Sequence, residues 1–290
     1  GLSLVILIEL LPLLYYKYTN FTLDILNHLL QSNFVPLQLL LPIGISFYTF
    51  QAISYTVDVY KERFPKTTGL LEYTFYLTFF PLLIAGPITR AKILIPQIDA
   101  PQPNNKQLIN TGLWLIICGL LKKALVADYL AQYNNWIFAD PLAYTGFENL
   151  MGVLGFTLQI YCDFSGYSDM AIGIAALMGF QLPNNFNSPY QSLNLTEFWH
   201  RWHITLSQWF RDYVYIPLGG NRKGELKTYR NTFITMIVAG LWHGASGMFV
   251  LWGFLHGIGL TIHKFFQNRG FSKVHNTIYV KAICWIITFT

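Results

Sequence analysis

The sequence predicts an all-α, polytopic transmembrane protein with broken or re-entrant helices around a central cavity, and three observations carry that prediction. Of the 290 residues, 53% are hydrophobic and only 11% are charged, whereas a soluble domain carries about 25% charged residues. Residues 25–57 and 231–263 contain no Asp, Glu, Lys or Arg, and each stretch exceeds the roughly 20 apolar residues that cross a hydrocarbon core. No period-two alternation marks a closed barrel, so the amides that lipid leaves unsatisfied must be satisfied inside helices. Secreted, disordered and DNA-binding classes are excluded, and no nucleic acid partner is expected. The balance of 19 Lys+Arg against 14 Asp+Glu, net +5, reads as basic loops in contact with anionic membrane lipids.

In chain order the apolar runs fall at residues 2–16, 34–57, 70–88, 108–127, 150–180, 231–266 and from 277 onward, which suggests about seven membrane segments. Glycine or proline interrupts several of them, at Pro42 and Gly44, at Gly86 and Pro87, and at Gly240, Gly244 and Gly247. A helix breaks at membrane depth only where the freed backbone packs on protein or lines a cavity. The connections 58–66, 90–106 and 222–230 hold much of the charge, with basic residues too widely spread to fix an orientation. Residues 193–214 differ, because Glu197, His200, Arg201, His203, Arg211 and Asp212 alternate with large apolar side chains. That pattern suits an interfacial or re-entrant helix, started by capping residues at 194–197 and stopped by Pro217 and Gly219-Gly220. Residues 182–190, rich in Pro and Asn, read as an irregular loop. Residues 1–290 form one domain on this reading. A first residue Gly1 and a last residue Thr290 inside an apolar run mark the sequence as a fragment, with further helices expected beyond residue 290.

His243 is the most informative residue for chemistry. It lies roughly 18 Å along a helix from Arg230, within the uncharged stretch 231–263, and an ionisable group at such depth marks a cavity, a proton path or a reaction centre. The plain alternative is a neutral imidazole serving only packing. Flanking glycines favour function, because backbone without side chains lets a substrate approach the ring. His203 follows His200 by three residues, so on a continuous helix the two share a face. With Glu197 they form a Glu-x-x-His-x-x-His ladder, whose first half resembles a di-iron half-site. No second Glu-x-x-His occurs, so no metal is expected, and a charged face with snorkelling tips is the alternative. His28, His256, His263 and His275 have nothing in the sequence to raise them above satisfied or solvent-facing side chains. Asp163 and Asp169 are the only charges in the apolar run 150–180, and Arg201 or Arg211 are their expected partners, since buried charges need pairing. The loop Gly219-Gly220-Asn221-Arg222-Lys223 is basic and turn-like, able to hold a phosphate or to serve as a plain cytoplasmic turn. Cys118, Cys162 and Cys284 match neither a zinc site nor a disulfide framework, and Cys162 in apolar surroundings is an inert thiol.

Four stretches then carry a resemblance: Tyr161-Cys162-Asp163-Phe164-Ser165-Gly166-Tyr167-Ser168-Asp169; Phe198-Trp199-His200-Arg201-Trp202-His203-Ile204-Thr205-Leu206-Ser207; Arg211-Asp212-Tyr213-Val214-Tyr215-Ile216-Pro217-Leu218-Gly219-Gly220-Asn221-Arg222; and Gly240-Leu241-Trp242-His243-Gly244-Ala245-Ser246. With Phe47-Tyr48-Thr49-Phe50-Gln51 and Ala85-Gly86-Pro87-Ile88, they make residues 40–265 resemble the membrane-bound O-acyltransferase family, in its alginate O-acetyltransferase membrane-subunit branch. The teichoic acid D-alanyl branch is similar around Trp202-His203. The resemblance implies an acyltransferase of the bacterial cytoplasmic membrane that draws acetyl groups from a thioester, acetyl-CoA, and passes them across the bilayer for O-acetylation of an exopolysaccharide such as alginate. It implies an extracytoplasmic acetyltransferase partner protein, and catalytic roles for His243 and His203. At His200 the family has arginine, so no role carries over.

This agrees with the chemistry of the residues. Acyl transfer to a hydroxyl needs a base near neutrality, which imidazole supplies. His203, Asn185 or a backbone amide beside Gly244 are candidate donors to the developing oxyanion. Arg222 and Lys223 are candidates for holding the phosphates of the donor. Two rivals belong to other classes: a proton-coupled membrane transporter without covalent chemistry, and a membrane di-iron oxygenase, which would contain iron.

Overall fold

The computed structural model describes residues 1–64, 68–100, 105–270 and 277–289. In chain order its helices are α1 (Leu2–Leu13), α2 (Thr19–Leu30), α3 (Ile45–Tyr60), α4 (Leu70–Thr78), α5 (Phe80–Leu83), α6 (Ala91–Asp99), α7 (Lys106–Leu120), α8 (Asp128–Ala139), α9 (Gly146–Leu177), α10 (Leu195–Arg201), α11 (Ile204–Phe210), α12 (Glu225–His243), α13 (Gly247–Asn268) and α14 (Ile278–Phe289). Short π-helical turns join α1 to α2, join α7 to α8, and follow α11. No strand occurs among the described residues, as the all-α reading requires.

Two helical runs are long and apolar enough to cross a membrane, Leu2–Leu30 with 29 residues and Gly247–Asn268 with 22. The sequence suggested about seven, and the difference has physical causes. Residues 34–42, counted above within one apolar run, are not helical. Pro36 and Pro42 remove backbone donors and push their preceding residues out of the helical region, and Gly44 takes φ 77° before α3 starts. The freed backbone is met by side chains. Asn20 both donates to and accepts from Leu37, at 2.9 and 2.8 Å, and Asn27 does the same with Phe34, at 2.9 and 2.7 Å. The run 70–88 is likewise split, with Phe79 at ψ 100° before Pro81 restarts a short helix.

The chain divides into two compact units, residues 1–64 with 186–290, and residues 65–185. In the second unit α7 packs along α9, the longest helix. Glycines meet backbone at two levels: a Cβ on Gly112 would lie 2.8 Å from the Gly173 carbonyl, and one on Gly119 would lie 2.5 Å from the Gly166 carbonyl. Small residues at such crossings let helices associate where lipid offers no hydrophobic drive. Thr145 caps α9 by accepting from the Glu148 amide, while the Glu148 carboxylate accepts from the Thr145 amide, which satisfies two of the donors a helix start leaves open.

The two aspartates of α9 correct the expectation made for them. Asp169 pairs with Lys122 at 2.6 Å and Asp163 with Lys123 at 2.5 Å, both lysines coming from the π turn between α7 and α8. Lys123 also reaches Asp128 at 2.7 Å. Arg201 instead pairs with Glu197 one turn earlier, and Arg211 with its neighbour Asp212. The lysines sit on the helix directly packed against α9, so they reach the carboxylates without any other element having to move.

In the first unit α12 and α13 form an antiparallel hairpin joined by residues 244–246. Gly240 and Gly253 allow the contact: a Cβ on Gly240 would lie 2.2 Å from the Phe249 carbonyl, and one on Gly253 would lie 2.4 Å from the Met236 carbonyl. An aromatic cluster forms the core beside it. Phe50 of α3 stacks on Trp209 at 3.7 Å and 4°, and on Trp242 at 5.4 Å, while the Trp209 indole N–H donates to the Phe50 carbonyl at 3.0 Å. Tyr213 donates to Asp58 at 2.8 Å, fixing the far end of α3 to the π turn after α11.

Candidate active site

His243 is the last residue of α12, and the chain turns at once into extended Gly244. Its ring is set by aromatic neighbours, Trp242 at 5.0 Å, Trp252 at 4.9 Å edge-on, and Phe249 stacked at 6.3 Å. These contacts leave it half-buried at one end of a cavity of about 540 Å³ within the first unit. On α12 the lining residues are Thr232, Thr235, Met236, Ala239 and His243. They follow the i, i+3, i+4 rhythm of one helix face and span roughly 17 Å at 1.5 Å per residue. On α13 the lining includes Lys264 and Gln267. Because the hairpin is antiparallel, and Asn268 reaches Tyr229 by a hydrogen bond at 3.4 Å, Lys264 and Gln267 face the Thr232 end. The cavity therefore has an imidazole at one end and an ammonium toward the other, with Trp199, Leu206 and Phe210 contributing apolar wall.

His203 takes a form that a continuous helix would not allow. It adopts φ 42°, ψ 56° in the left-handed region, where histidine is found more often than most side chains but still at a cost. This breaks the expected single helix into α10 and α11, so His200 and His203 do not share a face. His203 is buried, 1% exposed, and its ring lies 6.2 Å from that of Trp242. His200 is exposed on the cavity rim. The two histidines brought together are thus His203 and His243, both in contact with the Trp242 indole. The start of α10 follows the sequence reading: Asn194 accepts from the Glu197 amide at 2.8 Å, and Glu197 accepts from the Leu193 amide at 3.0 Å.

Arg222 and Lys223 are exposed on the loop after the π turn and are not among the cavity-lining residues; the cations that line it are Arg211 and Lys264. Asn185 is buried in the second unit and donates to the Ser168 hydroxyl at 3.2 Å. The Gly244 amide makes a long contact, 3.4 Å, to the Gly240 carbonyl. Cys118, Cys162 and Cys284 are free thiols. Among the described residues, no three His, Cys, Asp or Glu side chains converge.

Lys264 is a cavity-lining residue that the sequence reading missed, whereas His256 and His263, read there as satisfied or solvent-facing, have partners. His256 touches Trp252 at 4.5 Å and Trp199 at 5.3 Å, His263 shares a hydrogen bond with Thr196 at 2.9 Å, and Lys264 donates to the Tyr215 hydroxyl at 3.0 Å. Trp252, His256, His263 and Gln267 follow one another at intervals of four, seven and four residues along a largely apolar helix. That polar stripe was the available signal.

The chain is thus helical, with two apolar runs long enough to cross a membrane and a half-buried imidazole at the end of a cavity. It matches the model of MBOAT, membrane-bound O-acyltransferase family, over residues 15–290, and the chain belongs to that family. Among curated relatives it is 44% identical over 292 residues to the probable alginate O-acetylase AlgI of Pseudomonas aeruginosa, covering 99% of this chain and 55% of that protein. It is 40% identical over 303 residues to the peptidoglycan O-acetyltransferase of Helicobacter pylori, covering 95% and 57%. The teichoic acid D-alanyltransferase of Bacillus subtilis is 27% identical over 298 residues, covering 98% and 73%. The chain spans a little over half the length of the first two.

Proposed function

We propose that this chain belongs to the catalytic domain of a polytopic membrane O-acetyltransferase. In this reading it resides in the bacterial cytoplasmic membrane and passes acetyl groups from acetyl-CoA toward an extracytoplasmic polysaccharide such as alginate, with a partner acetyltransferase on the far side. The observation that carries the reading is His243 at one end of a cavity whose other end holds Lys264. That separation suits an extended pantetheine arm, with its thioester near the imidazole and its phosphates toward the cations. Arg222 and Lys223, on the loop that continues from the Arg211 turn, supply positive potential that draws the same phosphates toward the cavity.

The chemistry follows from the residues. The His243 imidazole takes the proton of the accepting hydroxyl as its oxygen attacks the thioester carbonyl. The tetrahedral oxyanion collapses, the carbon–sulfur bond breaks, and the imidazolium returns its proton to the departing thiolate. The His203 ring, 6.2 Å from that of Trp242, is the proposed hydrogen-bond donor to the oxyanion. The apolar wall of Trp199, Leu206 and Phe210 excludes the water that would otherwise hydrolyse the thioester.

The test separates enzyme from transporter. Full-length protein purified in detergent, with no gradient, is expected to release free CoA from acetyl-CoA when a hydroxyl acceptor or the partner protein is added. A transporter would leave the thioester intact, and CoA release at the level of a protein-free blank would remove the proposal.

A further inference from the structure

Lys17 lies inside the apolar run Leu2–Leu30, where a charged side chain is costly and marks a functional contact by default. It is absent from the ion pairs of the described residues, and its ammonium is met by neutral groups instead. It donates to the backbone carbonyl of Trp242 and, at 3.3 Å, to the Ser46 hydroxyl. It also lies 5.6 Å from the Trp242 ring and 5.9 Å from that of Tyr18, close enough for cation–π attraction. Beside it, the Tyr18 hydroxyl donates to the Leu241 carbonyl at 2.7 Å.

Leu241 and Trp242 belong to the last turn of α12. Its carbonyls have no amide partner within the helix and carry the negative end of the helix dipole. Such ends are often closed by a following glycine in the left-handed region, but Gly244 is extended at φ −163°, and its amide reaches Gly240 only at 3.4 Å. The chain's own cap is therefore weak. An ammonium and a phenol from the first apolar run close the end that carries His243.

We infer that Lys17 is a positioning residue for His243, docking the last turn of α12 onto the first apolar run with Tyr18 as its second contact. The inference rests on His243 being the base proposed above. A cation suits the place because it meets both the dipole and the aromatic faces, whereas a neutral side chain of similar length leaves the Trp242 carbonyl open. Displacement of a reacting group by about 1 Å can cost on the order of 10²-fold in rate, so the effect belongs in kcat rather than in donor binding.

The experiment uses full-length protein in detergent, with steady-state acetyl transfer measured at varied acetyl-CoA, and thermal midpoint and elution profile followed for every variant. Lys17→Met is expected to lose about 10²-fold in kcat, with KM for acetyl-CoA almost unchanged. Lys17→Arg, which keeps charge and donors, is expected to recover most of that loss, and Tyr18→Phe to lose less than Lys17→Met. Wild-type kcat in Lys17→Met overturns the inference. So does a loss carried in KM, or a fall in thermal midpoint with no rescue by Lys17→Arg, which would mark a purely structural lysine. His243→Ala in the same series keeps the two claims apart: if it transfers acetyl groups at the wild-type rate, the assignment of the base fails, whatever Lys17 does.

Discussion

Replacing His243 with alanine is expected to lower acetyl transfer by about 10²–10⁴-fold, the range a positioned general base contributes, while leaving the protein in the membrane. The expectation of intact folding is specific to this site. His243 ends α12, is half-buried, and among the described residues is held by ring contacts rather than hydrogen bonds. Its loss removes packing against Trp252 and Phe249 but orphans no polar partner. Rate and folding should therefore separate: kcat falls by orders of magnitude, whereas the thermal midpoint in detergent moves little. Steady-state kinetics beside a melting curve read both quantities. A variant equally depleted in both would assign His243 to packing instead.

Gly240→Ala is expected to damage stability and rate together. Its Cβ would fall 2.2 Å from the Phe249 carbonyl and 3.1 Å from the Gly253 Cα, atoms of the facing backbone that cannot swing aside. The helices must part. Forcing extra volume into such a contact costs roughly 1–3 kcal/mol, and His243 lies three residues further along the displaced helix. A lower melting midpoint with greatly reduced transfer is the predicted pair of results. Gly146→Ala provides the control, because nothing lies within 4 Å of its Cβ. If Gly240→Ala melts and turns over like wild type, the tight α12–α13 crossing is not what holds the imidazole in place.

What was legible in the sequence was local pattern; what was not legible was partnership. His243 stood out because an ionisable residue in an uncharged stretch is rare whatever the tertiary arrangement. The cap at Asn194 could be found because capping is local in sequence. Asp163 and Asp169 were assigned to the wrong cations because the choice among lysines and arginines depends on which helix packs against α9, and periodicity does not encode that. The helix break at His203 was hidden for a related reason. Nothing between Asn194 and Tyr215 is a proline or glycine, and the left-handed residue is held by burial rather than by local preference. The interruption at Pro42 and Gly44 was legible, whereas the non-helical stretch before it, from residue 34 and containing Pro36, was hidden by its hydropathy. Lys17 could be seen in the sequence, yet the carbonyl it caps, that of Trp242, comes from α12, far along the chain.

The central claim is that a thioester carbonyl reaches His243 through the cavity of the first unit. The most direct measurement is a cryo-EM structure of the full-length protein with an acetyl-CoA analogue whose sulfur is replaced by methylene, so that transfer cannot occur. The acetyl carbonyl is predicted to lie beside the His243 imidazole, among Trp199, Met236 and Ala239, with the phosphates toward Lys264 and Arg211. Density for the analogue elsewhere, with the imidazole still packed against Trp252 and Phe249 and the cavity free of it, would contradict the account.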